Sequence, residues 1–391
     1  MTEQQFPSKT TTIDKRTWFQ RLGSSFRGIL TGLLLFIIAF PILIWNEGRA
    51  IKTYRSLEEG ASIVESSDPE VIDPSQDGKL IHFSGEARTS SILSDDTFAI
   101  SENALKLKRI VEVYQWSEDK KTETVEKIGG STETTTTYFY KQVWNDRLID
   151  SQSFQEASNH NNPQAKALEN FEQMAEAVSV GAYTLPENLL SSLSDYERLD
   201  LSSDLLTTLP YSQQEQWQIF NNYIYKSADP SNPVIGDTRV FYQVLRPGML
   251  SVIAQQKGEN LQAYQTKNAK SIEMIRSGQI SAEEMFEGAI QTNRLSTWLI
   301  RFLGFFMIYI GLNTLLVPLS TLLSVIPLFA KIFRFASKLL SAVIALVLSL
   351  TTIGIAWLLY RPLIGLAVLL SAVGVIILFS KFKRKDKTQE K

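Results

Sequence analysis

Between Arg27 and Glu47 lie 19 residues without a charge, GILTGLLLFIIAFPILIWN. As a helix rising 1.5 Å per residue this run covers about 28 Å, close to the thickness of a bilayer's hydrocarbon core. No small-x-small cleavage site follows it, and Trp45 stands where an interfacial anchor belongs, so the run reads as a retained signal anchor. Three more uncharged runs follow, Phe302 to Ala330, Leu339 to Tyr360 and Pro362 to Ser380, of 29, 22 and 19 residues. The first is longer than one crossing needs, and Pro318 and Pro327 offer breaks. Four spans are therefore predicted, at 28–46, 298–320, 339–360 and 362–380. Residues 321–338 are expected to lie partly in the interface, carrying Lys331, Arg334 and Lys338, and Arg361 alone turns the last pair of spans.

Charge is sorted along the chain, although the formal total is only −2. From Asn46 to Thr297 there are 23 basic and 37 acidic residues; elsewhere there are 16 basic and 4 acidic. Basic residues near span ends set orientation. With four crossings, Lys9, Lys15, Arg16, Arg21 and Arg27, the 331–338 cluster, and Lys381, Lys383, Arg384, Lys385 and Lys387 all fall on one side. This predicts a cytoplasmic segment at 1–27, an extracytoplasmic domain at 47–297 and a cytoplasmic tail at 381–391. Trp18, Leu22 and Phe26 recur at i, i+4 and i+8 within Asp14 to Gly28, the pattern of a short amphipathic helix on an anionic leaflet.

The outer stretch, about 250 residues, is long enough for a core of its own. Alternation marks strands at Lys79–Gly85, Ala104–Trp116 and Thr134–Trp144, the last two joined by a charged excursion around Gly129–Gly130. Ala167, Phe171, Met174 and Val178 suggest a helix over Gln164–Ser179, with more helix in Leu189–Leu206. Strand patterns return at Gln218–Tyr225, Thr238–Val244 and Met249–Gln255, with turns at Asp229-Pro230 and Pro247-Gly248. Ser281-Ala-Glu-Glu284 is a capping box opening a helix that can run through Phe286, Ile290 and Trp298 into the second span. The fold class expected is α+β: a large extracytoplasmic mixed α/β domain on a four-helix transmembrane base.

Little chemistry is assembled. The chain has 0 Cys and 2 His, which excludes disulfide frameworks, thiolate metal sites, Cys nucleophiles and His-rich clusters. No nucleotide-binding glycine loop or serine-hydrolase motif stands in context. His82 fits a half-buried strand position and His160 a turn, Asn159-His-Asn-Asn-Pro163. The pairs Glu58-Glu59 and Glu283-Glu284 point apart on a helix and read as solvated. Gly28-x-x-x-Gly32 has small-residue spacing for helix packing, and Asn313 is a strongly polar side chain well inside the second span. No catalytic residue, metal site, cofactor or nucleic-acid partner is indicated.

The stretch NEGRAIKTYRSLEEGASIV, Asn46 to Val64, resembles the segment after the first span of the LUMA family, also called transmembrane protein 43. Further agreement lies in Gly78-Lys-Leu-Ile-His82 with Gly85-Glu86, Tyr114-Gln-Trp116, His160-Asn-Asn-Pro163, Gly236-Asp237 with Arg239-Val240, Ser281-Ala-Glu-Glu284, Gly311-Leu-Asn313 and Tyr360-Arg-Pro362. The resemblance covers roughly 28 to 370. It implies a membrane organiser that self-associates and resides in the endoplasmic reticulum and inner nuclear membrane of animal cells. It carries over no catalytic residue. The absence of cysteine, and of any glycosylation sequon among 15 Asn, points instead to a bacterial envelope relative in an inner membrane, where lamina partners would not apply.

The function expected is a non-enzymatic, homo-oligomeric scaffold that contacts membrane lipid and whose acidic domain binds other membrane or envelope proteins. The competing readings are a ligand-binding sensor that relays through the Ser281 helix and, third, a subunit of an oligomeric channel. The residues singled out are Asn46, Glu47, Gly48, Arg49, Tyr54, Arg55, Glu58 and Gly60. Their bland reading pairs Arg49 and Arg55 with Glu47 and Glu58 at the exit of span one.

Overall fold

The computed structural model describes residues 8–201, 205–208 and 216–360. Three helices dominate one end. α1, Trp18–Ile63, is a single 46-residue helix opened by a reciprocal capping box between Thr17 and Gln20. α2, Glu187–Ser192, is short. α3 spans Ala282–Leu322, with Ser281 accepting from the Glu284 N–H at 3.2 Å. After a 3₁₀ turn at Leu323–Val325, α4 runs from Pro327 to Tyr360. Three described helices, α1, α3 with its following turn, and α4, are long and apolar enough to cross a membrane. The fourth predicted span, 362–380, and the basic tail lie outside the described residues.

Two differences from the sequence expectation concern these helices. Residues 327–338, within the stretch expected at 321–338, open α4 and are continuous with the third predicted span, because proline at the first helical position gives up no intrahelical bond. Pro318, by contrast, lies inside α3. The expected helix over 14–28 begins only at Trp18, and Ser8–Arg16 is a strand, β1.

The strands that matter for the site are β2 (Leu80–Arg88), β3 (Lys106–Glu126), β4 (Thr132–Asn145), β5 (Phe171–Met174), β6 (Glu197–Arg198), β7 (Gln218–Phe220), β8 (Tyr223–Lys226), β9 (Thr238–Leu245), β10 (Met249–Lys257) and β11 (Met274–Ser277). An eight-stranded sheet has the order β1-β4-β3-β9-β8-β7, with β6 against β9 and β5 against β3. A seven-stranded sheet is built around the antiparallel β2–β10–β11 pairings. Alternation explains how they pack. Ile81 and Phe83 of β2 join Leu107 and Val111 of β3, Val240 and Tyr242 of β9 and Val252 of β10 in one core between the sheets. Leu80 and Ile253 point the other way, onto Leu57 of α1 and Met285 and Phe286 of α3. Sheet, sheet and helix pair thus form three layers, and the helix layer continues as the apolar bundle.

The helix expected over Gln164–Ser179 is absent. Phe171–Met174 instead pairs with Lys106–Arg109 of β3, and Asn170 Oδ1 accepts the Val111 N–H at 2.9 Å. Backbone groups on the edge of β3 needed partners, and that demand outweighs an apolar spacing that suits either structure. Among the described residues of the 189–206 region, α-helix is confined to α2, followed by β6 and a 3₁₀ turn at Leu205–Thr208.

Candidate functional site

The singled-out residues lie where α1 passes from the apolar bundle into the domain. Antiparallel α1 and α3 touch along their length. Near the bundle's middle, a Cβ on Gly311 would stand 2.7 Å from the Gly32 carbonyl oxygen, and one on Gly32 would stand 2.9 Å from Thr314 Cβ. The backbones are in contact there, and only glycine leaves the room. Gly28 faces Thr314 more loosely, at 3.4 Å, and Asn313 is half-buried on α3.

One turn below the domain the contacts become polar. Glu47, 2 % exposed, accepts two parallel bonds from Arg301, Nε at 2.7 Å and Nη2 at 2.8 Å, and a third from Trp357 Nε1 at 2.8 Å. A bidentate guanidinium is the geometry that best offsets burial of a carboxylate. These three donors take up most of the acceptor sites of the Glu47 carboxylate, which also borders the cleft described below. Asn46, fully buried, donates to the Thr297 carbonyl at 3.0 Å. Arg49 reaches Asn293 Oδ1 at 3.2 Å, Asn46 Oδ1 at 3.2 Å and Thr297 Oγ1 at 3.3 Å, while its Nε is buried without a partner. Asn293 in turn donates to the Ala50 carbonyl at 3.0 Å. The result is a polar clamp joining α1 to α3 and α4.

Pairing therefore differs from the expectation within the first helix. Glu47 bonds Arg301 of α3, while Arg49 bonds Asn46 on its own helix and Asn293 and Thr297 on α3. Arg55 Nη2 donates to the Tyr360 carbonyl at 3.3 Å, satisfying the end of α4, and Tyr54 Oη lies 3.5 Å from Glu58. Gly48 lets the Tyr360 ring approach, and Gly60 lets Phe286 and Ile272 approach. Arg301, Trp357, Asn293 and Thr297 were not singled out from sequence. A signal existed: Arg301 is the one charge inside the predicted 298–320 span, and such a charge calls for a partner.

Beside the clamp opens a cleft of about 800 Å³ lined by Ile51, Tyr54, Arg55, Ile290, Arg294 and Trp298 among others. It combines apolar walls with two exposed guanidinium groups. Among the described residues no group of three or more His, Asp or Glu side chains is placed to hold a metal ion.

The two histidines have structural surroundings. His82 Nε2 lies 2.9 Å from the Ile280 carbonyl, and burial pushes its imidazole below the usual value of 6.5, partly opposed by that bond. His160, 3 % exposed, stacks on Tyr140 at 3.7 Å and meets the edge of Trp116 at 4.7 Å. The adjoining Asn162 bonds both backbone groups of Trp116, at 2.7 Å and 2.9 Å. In the domain core, Arg109 pairs with Asp95, which also accepts from the Tyr242 hydroxyl at 2.6 Å. Burial and the neighbouring Asp95 carboxylate push the Tyr242 phenol up, so it stays a donor.

An α+β fold joined by continuous helices to an apolar bundle, with a buried polar clamp at the junction, defines an integral membrane protein. The family described as Transmembrane protein 43 matches residues 113–362. Human Transmembrane protein 43 is 32% identical over 373 residues, covering 92% of this chain and 91% of the relative, and the mouse protein is 32% identical over 368 residues, covering 91% and 90%. The Drosophila melanogaster homolog is 28% identical over 362 residues, covering 90% and 94%. The chain belongs to the Transmembrane protein 43 family. No solved structure matches it.

Proposed function

We propose that the chain is a non-enzymatic membrane scaffold that self-associates and presents its acidic domain to partner proteins on one side of the bilayer. The observation that supports this reading best is mechanical. α1 and α3 each run without interruption from the apolar bundle into the domain, and the Asn46–Glu47–Arg49 clamp with Asn293, Thr297 and Arg301 fixes them there. A domain held this stiffly keeps a fixed orientation to the membrane, as an organising surface requires. Its charge excess, 37 acidic against 23 basic residues over 46–297, favours basic partners and suppresses non-specific contact with anionic headgroups. Cross-linking of the full chain in its membrane, followed by mass spectrometry, should give homo-oligomers and a recurrent envelope or membrane partner. Monomers alone, with no partner, would overturn the reading.

The cleft favours a second reading, a sensor that takes a small anionic ligand between Arg55 and Arg294 and relays through α3. A soluble ligand should then raise the melting temperature of the full protein in detergent, and Arg294→Ala should abolish the rise.

A further inference from the structure

The scaffold reading leaves one element unexplained, the lower half of the eight-stranded sheet. β3 and β4 leave the domain as a long ribbon. At its root the Tyr114 N–H donates to the Asp237 carbonyl at 2.8 Å, and Asn162 holds Trp116. Its tip, at Gly129–Gly130, lies at the opposite end of the helix bundle. There the Gly129 N–H donates to the Val325 carbonyl at 3.1 Å, while Arg21 at 2.6 Å and Arg334 at 2.7 Å both hold Glu126. Gly130, at φ +79°, has no room for a Cβ, which would stand 2.5 Å from the Trp18 ring. β1 then runs back along β4, with Arg16 opposite Thr132 and Ser8 opposite Tyr140.

Root and tip therefore bracket the same interval as the apolar runs 28–46, 302–320 and 339–360. Ten strand residues cover about 33 Å, matching the roughly 28 Å of the first apolar run, and nine to eleven is the length of a membrane-crossing strand. Yet the three strand segments, 8–16, 117–126 and 132–141, carry six basic and six acidic residues. Their rows are hydroxyls: Thr12 pairs with Thr136, whose Oγ1 lies 3.3 Å from that of Thr122, and Thr124 and Thr134 repeat the contact at 3.1 Å. Neither face is the apolar band that lipid requires. Two edges are unpaired among the described residues, the outer edge of β1 and the edge of β3 beyond Trp116. Open sheet edges and charged strands do not occur against hydrocarbon.

We infer that neighbouring copies of this chain pair β1 of one against β3 of the next, closing the ribbons into a barrel whose interior is a water-filled passage for small inorganic ions. The inference rests on the self-association reading and deepens it. Both edge strands run from the domain end toward the basic end, so the new pairing is parallel, and a head-to-tail contact of this kind forms a ring when successive rotations about the bilayer normal close. In such a ring α1, α3 and α4, joined to the ribbon at its tip, would stand between the barrel and lipid. Equal numbers of positive and negative side chains leave the passage with little preference for the sign of the ion.

The full-length protein, reconstituted in nanodiscs and vesicles, tests this. Its mass should correspond to several copies; a single copy overturns both the scaffold reading and the passage. Single cysteines at Thr12, Thr122 and Thr136 should react with a small charged methanethiosulfonate at rates close to that of Asn232→Cys in the domain. Ile37→Cys, 54% exposed on α1 within the first apolar run, should react more than about tenfold slower, because the charged reagent does not enter hydrocarbon and the thiolate is the reactive form. Vesicles should leak potassium and chloride together, and modification of Thr122→Cys should slow the leak. An oligomer whose three ribbon cysteines are as unreactive as position 37, or whose vesicles stay tight, overturns the passage and leaves the scaffold standing.

Discussion

Glu47 and Arg301 illustrate what a buried pair is worth at the edge of a bilayer. Both side chains are withdrawn from water, and each offsets the other's desolvation only while both are present. Glu47→Ala leaves the guanidinium without its counter-charge and should destabilise the protein by about 3 kcal/mol, while the double change Glu47→Ala with Arg301→Met should cost less than the single one. Thermal unfolding in detergent measures both, and a double variant worse than Glu47→Ala would show that the pair is not what holds the clamp. His82 gives a pH signature in the domain. Its folded imidazole binds a proton less readily than the unfolded one, so the unfolded state takes up more protons as acid is added. Stability is then complete above about pH 6.5 and falls as the pH drops below it. Between pH 7.5 and 5.5 the melting temperature should fall less for His82→Gln than for the unaltered protein; equal falls would mean that His82 does not titrate across unfolding.

Helix packing is decided by glycine at the crossing and tolerates change elsewhere. Gly311→Leu must displace the Gly32 backbone and should cost about 1–3 kcal/mol with partial separation of α1 from α3, whereas Gly288→Ala, with nothing within 4 Å, should be neutral or stabilising by up to about 1 kcal/mol. Chemical denaturation of the two variants in the same detergent distinguishes a local clash from a general intolerance of the helix. The elements themselves differ in how far they could be read from sequence. Apolar runs declare themselves because lipid admits few alternatives, and the Ser281 box announces the start of α3. β1 could not be read so. Ser8–Arg16 has no alternation of hydropathy, and only pairing with the threonines of β4 makes it a strand. The turn at Asn221–Asn222, both at positive φ (48° and 60°), divides what reads as one strand over 218–225 into the β7–β8 hairpin. The clamp was half legible: the Asn46–Arg49 side stands in one contiguous stretch, but its partners lie some 250 residues away, and spacing along a chain does not report contact across a groove.

At the scale of the whole molecule, basic side chains collect at the end of the bundle away from the domain. Arg21 and Arg334 meet there, with Lys331 and Lys338 on the same helix end, and on the positive-inside rule we propose that this end faces the cytoplasm and the domain the other side. The same fold carries the N-terminal strand back toward the domain, since Lys9 pairs opposite Phe139 near the root of the ribbon. Sidedness and strand pairing therefore make a joint statement that neither makes alone. Because the chain has 0 Cys, single cysteines at Asn232, Lys9 and Ser24 can each be tested with a maleimide carrying a polyethylene-glycol chain too bulky to pass a narrow opening, read as a gel shift on sealed membranes. Positions 232 and 9 should shift from the same side, and position 24, in the first turns of α1, only after the membrane is opened. If 232 shifts while 9 and 24 behave alike, β1 does not pair with β4 in the bilayer. If 24 shifts and 232 does not, the domain faces the cytoplasm, and the basic residues at the bundle's far end do not set its orientation.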